Sequence, residues 1–293
     1  LIYSSTPYGF FKSVAAAAEK GYIYCGNDGS AMQDCDEYNP DAWTSKTSAP
    51  SPARNTLSAS TILGKGYIYG GYSGSSASYD CDEYNPDSWT NKTDMPSPIR
   101  QGTAASTILD KGYVYYGTTG AANLQDCDEY DPDSWTNKTN GPAPIRSYLA
   151  ASTINNKGYI YGGYNVGTRY RDCEEYTPDS WTEKTDGPSP VRSYLAASTI
   201  NNKGYIYCGT TGTSIQDCDE YDPDSWTEKT NIPSPKRFSP AASTINDKGY
   251  VYCGHDDSNY LQDTDEYDPD TWTNKTSTPS PGRRHTAAST INN

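Results

Sequence analysis

The chain has 293 residues and carries 37 Asp and Glu against 23 Lys and Arg, a formal charge of −14. That balance disfavours nucleic acid, which needs basic patches to neutralise phosphate, and no run of 18 apolar residues exists to span a membrane. Only 33% of residues are hydrophobic, which leans toward disorder, but 28 Tyr and 6 Trp supply large rings that bury well and tolerate a wet edge.

The chain begins at Leu1 rather than Met and shows no signal peptide, so it reads as a processed product or an excised fragment. Residues 1–7 (LIYSSTP) match the end of a later strand-like segment (NKTSTP), and 13–18 form a first small-residue run. From residue 20 the chain repeats itself. Tryptophans at 43, 89, 135, 181, 226 and 272 are spaced 46, 46, 46, 45 and 46 residues apart, each within the same wording. A period in the forties with four strand-like pieces per unit marks a β-propeller blade. One such unit cannot bury its own faces, whereas six in a ring can. Turn signals every ten residues or so and the lack of a 3.6-residue apolar period exclude long helices. The expectation is an all-β fold in which 1–293 form a single six-bladed propeller domain.

The unit at 148–192 shows the order of elements. Ala150 to Ile154 predict strand A, whose small residues relieve crowding at the axis. Gly158 to Gly163 predict strand B, with terminal glycines that permit positive φ. Cys173 to Tyr176 predict strand C, and Thr177-Pro178-Asp179 turn the chain. Trp181 to Thr185 predict the outer strand D, where Thr, Glu and Lys suit an exposed edge. At the far end, 285–293 supply a seventh A-type run with no B strand after it. Six blades with a terminal piece completing or overlaying the seam is the natural closure; a seven-bladed ring or a truncated longer array is the alternative.

A Tyr before a diglycine-ended strand, a Tyr-Asp-Pro turn, a Trp and a Pro-x-Arg turn together resemble the kelch repeat, in all six units and over nearly the whole chain. Two departures stand out. The step from strand-C Tyr to Trp is five residues, as from Tyr130 to Trp135, about two shorter than the usual kelch turn. The first Gly of the pair is replaced by Cys25, Tyr116, Cys208 and Cys253 in four units. The wording also resembles kelch-like arrays of phage and bacterial surface proteins. The resemblance implies a six-bladed propeller that takes up peptides or proteins on the face carrying the B–C and D–A connections.

The repeats also serve as an internal alignment. Strands barely change, but the B–C segments differ from unit to unit and the two residues after each Pro-x-Arg turn vary, with Ser-Tyr in two units. Both connections emerge on one face of an antiparallel blade, and variation over an invariant frame is how a binding surface is individualised. The unit-specific residues Tyr72, Tyr148, Tyr164, Arg169, Tyr170, Arg171, Tyr194, His255, Tyr260, Arg284 and His285 are the candidate ligand contacts. The recurring arginines at 54, 100, 146, 192, 237 and 283 either ring that face and grip carboxylates, or tie down their own turns through carbonyls; recurrence in every unit favours the second.

Enzyme chemistry has little to stand on. The chain has two histidines, too few for a legible metal set, and the His and Tyr ligands of the copper oxidases that share kelch repeats are not legible. No phosphate loop or nucleophile elbow is present. The Asp-x-Asp of the C–D turn, as in Asp131 and Asp133, supplies few of the oxygens calcium needs. No cofactor is expected. Asn91, Asn137 and Asn274 begin sequons on strand D, which carry glycans only in a eukaryotic secreted context. Eight cysteines occupy the end of strand B and the start of strand C, and only units 1 and 5 hold both. Their ten-residue step would set Cys25 opposite Cys35 and Cys208 opposite Cys218, with Tyr22 opposite Tyr38, and so permit two disulfides; unpartnered cysteines elsewhere favour a small buried residue instead.

Together these observations predict a non-catalytic recognition or adhesion module that binds a protein or glycan, on a virion or cell surface. A self-assembling subunit of an extracellular appendage or filament and a cytoplasmic kelch adaptor are the alternatives.

Overall fold

The computed structural model describes residues 18–292. In each unit the small-residue run, the KGYIY-type run, the acidic run and the Trp run pair antiparallel in that order, giving six four-stranded sheets and no helix among the described residues. Blades are numbered here by the order of their B strands. In blade 4 the strands are A (Ala150–Ile154), B (Lys157–Asn165), C (Thr168–Thr177) and D (Ser180–Lys184). The A strands of successive blades pack on one another around the axis. The six sheets form a six-bladed β-propeller.

The seam is closed by the end of the chain. The strand Ala287–Asn292 pairs antiparallel with Glu19–Tyr24, Gly21 opposite Thr290, and becomes strand A of blade 1. The extra A-type run at the C-terminus is thereby explained, and the described residues form no seventh blade. The N-terminal runs at 1–7 and 13–17 lie outside the described residues.

Successive blades are joined by aromatic packing. Both tyrosines of each KGYIY-type run point into the neighbouring blade. Tyr22 and Tyr24 lie 5.3 and 5.8 Å from the ring of Tyr84, and Tyr24 meets Trp89 edge-on at 5.6 Å. The same contacts carry the seam, where Tyr252 of blade 6 meets Trp43 of blade 1 at 5.5 Å. The glycine of this run has a steric reason: a Cβ on Gly66 would collide with the Tyr24 hydroxyl, which instead docks there beside Ser289 at 2.7 Å. Each Trp is half-buried rather than enclosed, with one ring edge in the interface and its indole N–H given to a Thr carbonyl of the preceding blade, as from Trp135 to Thr93 at 2.8 Å. Strand D is placed as expected, and its Trp faces the neighbour rather than a core of its own.

The Asp that follows Pro in each C–D turn does not serve its own turn alone. Asp133 accepts the Thr93 N–H at 2.8 Å across the blade boundary, and Asp41 does the same for Thr276 at 3.2 Å across the seam. Glu129 takes Lys111 at 2.8 Å and the Tyr113 hydroxyl at 2.6 Å, which hold its carboxyl below the usual range despite burial.

The expected cysteine register is off by one. Tyr24, not Cys25, stands opposite Cys35, and Gly21, not Tyr22, stands opposite Tyr38. Likewise Tyr207, not Cys208, faces Cys218. The reason is local: strand B stops one residue earlier, and Cys25 and Cys208 turn into the left-handed region at φ 57° and 58°. All eight cysteines are free buried thiols, so neither proposed disulfide is present. Burial pushes the thiols of Cys25, Cys127 and Cys208 up to about 12.

Candidate functional site: the loop face

Each D–A connection is anchored from below by its arginine. Arg54, Arg100, Arg146, Arg192 and Arg283 are buried and ion-paired to Asp82, Asp128, Glu174, Asp219 and Asp36 on strand C of the next blade, and Arg237 reaches Asp265 at 2.6 Å. Arg54 also donates to the Gly70 and Asp80 carbonyls at 3.2 and 3.1 Å. The arginines therefore do not present themselves to a ligand. Their role is structural, but it reaches across the blade boundary instead of ending in their own turn.

Above these anchors the backbone is the same six times. The first residue after each Arg forms an antiparallel bridge with a residue of the B–C connection: Asn55 with Tyr72, Gln101 with Thr118, Ser147 with Tyr164, Ser193 with Thr210, Phe238 with His255, and Arg284 with Asn27. The second residue enters the left-handed region. Thr56, Gly102, Tyr148, Tyr194, Ser239 and His285 have φ between 53° and 60°. The N–H of each donates to the carbonyl of the preceding one at 2.7–3.1 Å, and Thr56 donates to His285, so the six form a closed ring around the axis. Each blade thus offers three variable side chains on a fixed backbone frame.

Those side chains are unevenly distributed. Blades 2 and 3 offer mostly small or polar groups, apart from Tyr72, whose hydroxyl is held by the Gly74 carbonyl at 3.0 Å. From blade 4 to blade 1 an aromatic arc runs across the face. Tyr148 stacks on Tyr194 at 4.2 Å and 17°, Tyr194 meets Phe238 at 6.0 Å and His285 at 5.6 Å, and Phe238 meets His255 at 5.3 Å. His255 meets Tyr260 at 5.0 Å. Desolvation and the nearby Arg284 charge push His285 down to about 3 and lower His255 as well, so both imidazoles are neutral at pH 7.

Between blades 3 and 4 the arc borders a groove of about 400 Å³. Tyr148, Tyr164 and Tyr194 line it together with Gln101, Asn123 and Ser147, and no charged residue lines it. Asn123 bridges the blades through the Tyr164 carbonyl at 3.0 Å and the Ser147 hydroxyl at 3.1 Å, which fixes one wall. In the blade 4 hairpin the ladder resumes after a bulge, with Tyr164 opposite Arg169, and Arg169 lies 5.6 Å over the Tyr164 ring.

Of the candidate contacts, Tyr148, Tyr164 and Tyr194 line this groove, Arg169 packs on the Tyr164 ring outside the lining, and His255, Tyr260, Arg284 and His285 gather at the other end of the arc. Tyr72 stands apart. Tyr170 and Arg171 turn into a crevice toward blade 5, where Arg171 faces Asp186 at 3.6 Å. Strand alternation turns Tyr170 away from Arg169, and the bulge between Tyr161 and Gly163 breaks the alternation before Arg171. Gln101, Asn123 and Phe238 belong to the face but were not among the candidate contacts. Gln101 and Phe238 occupy the first position after the Arg turn, so the internal alignment carried that signal; Asn123 is placed only by the fold.

No protein-family model matches the chain, and no curated protein matches it in sequence. Among solved structures the chain is similar to that of YjhT, with a TM-score of 0.73, 15% identity, and an alignment covering 89% of this chain and 98% of that one. At that identity the likeness shows the six-bladed propeller fold alone.

Proposed function

We propose that the chain is a non-catalytic recognition module that captures a glycan on its loop face, displayed on a virion or cell surface. The observation that carries this reading is the groove between blades 3 and 4. Three tyrosines offer apolar ring surface for the C–H groups of a sugar, while the Gln101 amide, whose oxygen accepts the Thr56 hydroxyl at 3.0 Å, keeps its N–H donors for sugar hydroxyls. A volume of about 400 Å³ suits one or two sugar residues. The lining holds no carboxylate, lysine, histidine or cysteine, the groups that acid–base or nucleophilic chemistry uses. The surface setting is supported by repeat wording that resembles phage and bacterial surface arrays.

Glycan-array binding by the intact protein, compared with a Tyr148→Ala/Tyr164→Ala variant, tests the reading. Loss of two stacking contacts at about 0.5–1.5 kcal/mol each should weaken captured glycans by roughly tenfold or more, with the melting temperature little changed. An array without hits, or hits equally strong for the variant, would sink it.

A further inference from the structure

The chain has a large surplus of acids, and among the described residues nearly every cation is neutralised. All 13 described lysines and seven of the nine arginines lie within 4.0 Å of a carboxylate. The two exceptions are Arg169 and Arg284, and both lie on the loop face. In a protein of charge −14 an unpaired guanidinium is the unusual case.

Arg284 is also held in place. Its backbone is bridged to Asn27 in both directions at 2.9 and 3.0 Å. Its guanidinium lies 5.3 Å from the Phe238 ring and 5.5 Å from the Tyr260 ring, and His255 touches the same two rings at 5.3 and 5.0 Å. Arginine, imidazole and two rings therefore form one cluster. The Nε of Arg284 is buried without a hydrogen-bond partner, as it is in the anchors Arg54, Arg100, Arg146 and Arg283, but Arg284 differs from those anchors in that no carboxylate holds its fork. His255 accepts the Asp257 N–H on Nδ1 at 3.1 Å, which leaves its proton on Nε2 as a second donor. The acids nearby are engaged elsewhere: Asp257 bonds Ser214 at 2.8 Å and faces Lys236 at 3.5 Å, and Asp256 bonds the Ser258 and Asn259 amides.

We infer that Arg284, with His255 beside it, is an anion subsite that takes the carboxylate or sulfate group of a ligand lying along the aromatic arc. The planar fork matches either group in bidentate fashion, and the flanking rings hold it rigid before the ligand arrives. The assignment deepens the reading of the loop face as a recognition surface and rests on it for the identity of the whole ligand, but the anion site has its own readout.

The chain has only two histidines, so its imidazole NMR spectrum reports this cluster alone. Sodium acetate and sodium sulfate, titrated separately against chloride at fixed ionic strength, should shift the His255 signals saturably, with a dissociation constant of about 1–10 mM for a single isolated group. The better of the two names the group. Binding places negative charge beside both imidazoles and should raise their pKa values; the other charges they face are those of Arg284, Asp256 and Asp257. Arg284→Gln should abolish the response, Arg284→Lys should weaken it severalfold by losing the fork, and Arg169→Gln should leave it intact. No saturable shift with either anion, or an equal shift in a folded Arg284→Gln protein, overturns the subsite. Glycan capture that survives alongside such a result would leave the recognition reading standing, whereas a saturable anion response with an empty array would fail that reading and not the subsite.

Discussion

Two hydrogen-bonded rings circle the propeller axis, and they are made of different parts. Near the A–B turns, Thr61, Thr107, Thr153, Thr199, Thr244 and Thr290 each pass a side-chain hydroxyl to the carbonyl of the Thr one blade back, at 2.6–2.9 Å. They line a polar channel of about 420 Å³. On the loop face the ring is made by backbone N–H and C=O groups alone. The residue is Thr in all six units of the first ring, and Thr, Gly, Tyr, Tyr, Ser and His in the second. Where a side chain makes the link between blades, the residue type is fixed; where the backbone makes it, the side chain is free to vary. A binding face is individualised on the second kind of ring at no cost to closure.

The largest test concerns the anchors beneath the variable face. Arg100→Ala leaves Asp128 buried without its partner and should cost about 3–5 kcal/mol in chemical denaturation. A cost under about 1 kcal/mol would return the arginines to the solvent face. Next is the perimeter, where a side chain again makes the link. Trp135→Ala removes a half-buried ring and its bond to Thr93, and about 2–3 kcal/mol is expected, below the 3–5 of a fully enclosed aromatic. A full 5 kcal/mol would mean that the ring is enclosed after all.

The two rings can then be compared directly. Thr153→Val keeps the shape but removes the bond to Thr107, and a loss of about 1 kcal/mol is expected, recovered by Thr153→Ser. Ser239→Gly deletes a buried, unpaired hydroxyl at φ 53° and should change stability by less than about 1 kcal/mol, since the backbone ring survives and strain is relieved. If Ser239→Gly proves the more damaging, the rule drawn from the rings is wrong.

The smallest effect belongs to the cysteines. Cys25, Cys208 and Cys253 sit where Gly70 and Gly162 stand in other blades, a left-handed position that the backbone defines and the side chain does not. Eight thiols should be silent to a thiol reagent in the native state and all react after unfolding, with no mass change on reduction. Fewer than eight on denaturation would reveal a bridge.

Much of this was legible in the sequence because a repeat reports its own tolerances. The 46-residue period, the strand order within a blade and the variable positions after each Arg turn follow from comparing the chain with itself, whereas in blade 4 strands B and C run on to Asn165 and start at Thr168, well beyond the expected Gly163 and Cys173. The period also called for a closed ring of like units, and the unpaired A-type run at 285–293 left six blades with a completed seam or a longer array as the choices. Pattern alone did not separate residues that share a strand end. It placed Cys25 opposite Cys35, because the turn into positive φ one residue early leaves no mark in a Tyr-Cys-Gly sequence. It grouped Arg171 with Arg169, because a bulge between Tyr161 and Gly163 is not visible in spacing.

The sequence by itself determined the blade: which runs pair and in what order, and that the units must close a ring to bury their tyrosines. The tertiary structure decided everything that crosses between blades. Arg100 finds Asp128, Asp133 finds Thr93, and Tyr148 stacks on Tyr194 only once six units share an axis. Local pattern is set by the alternation and turn chemistry of one strand or hairpin, whereas these partners lie roughly one repeat apart or across the seam, and only the closure geometry of the ring brings them within bonding distance.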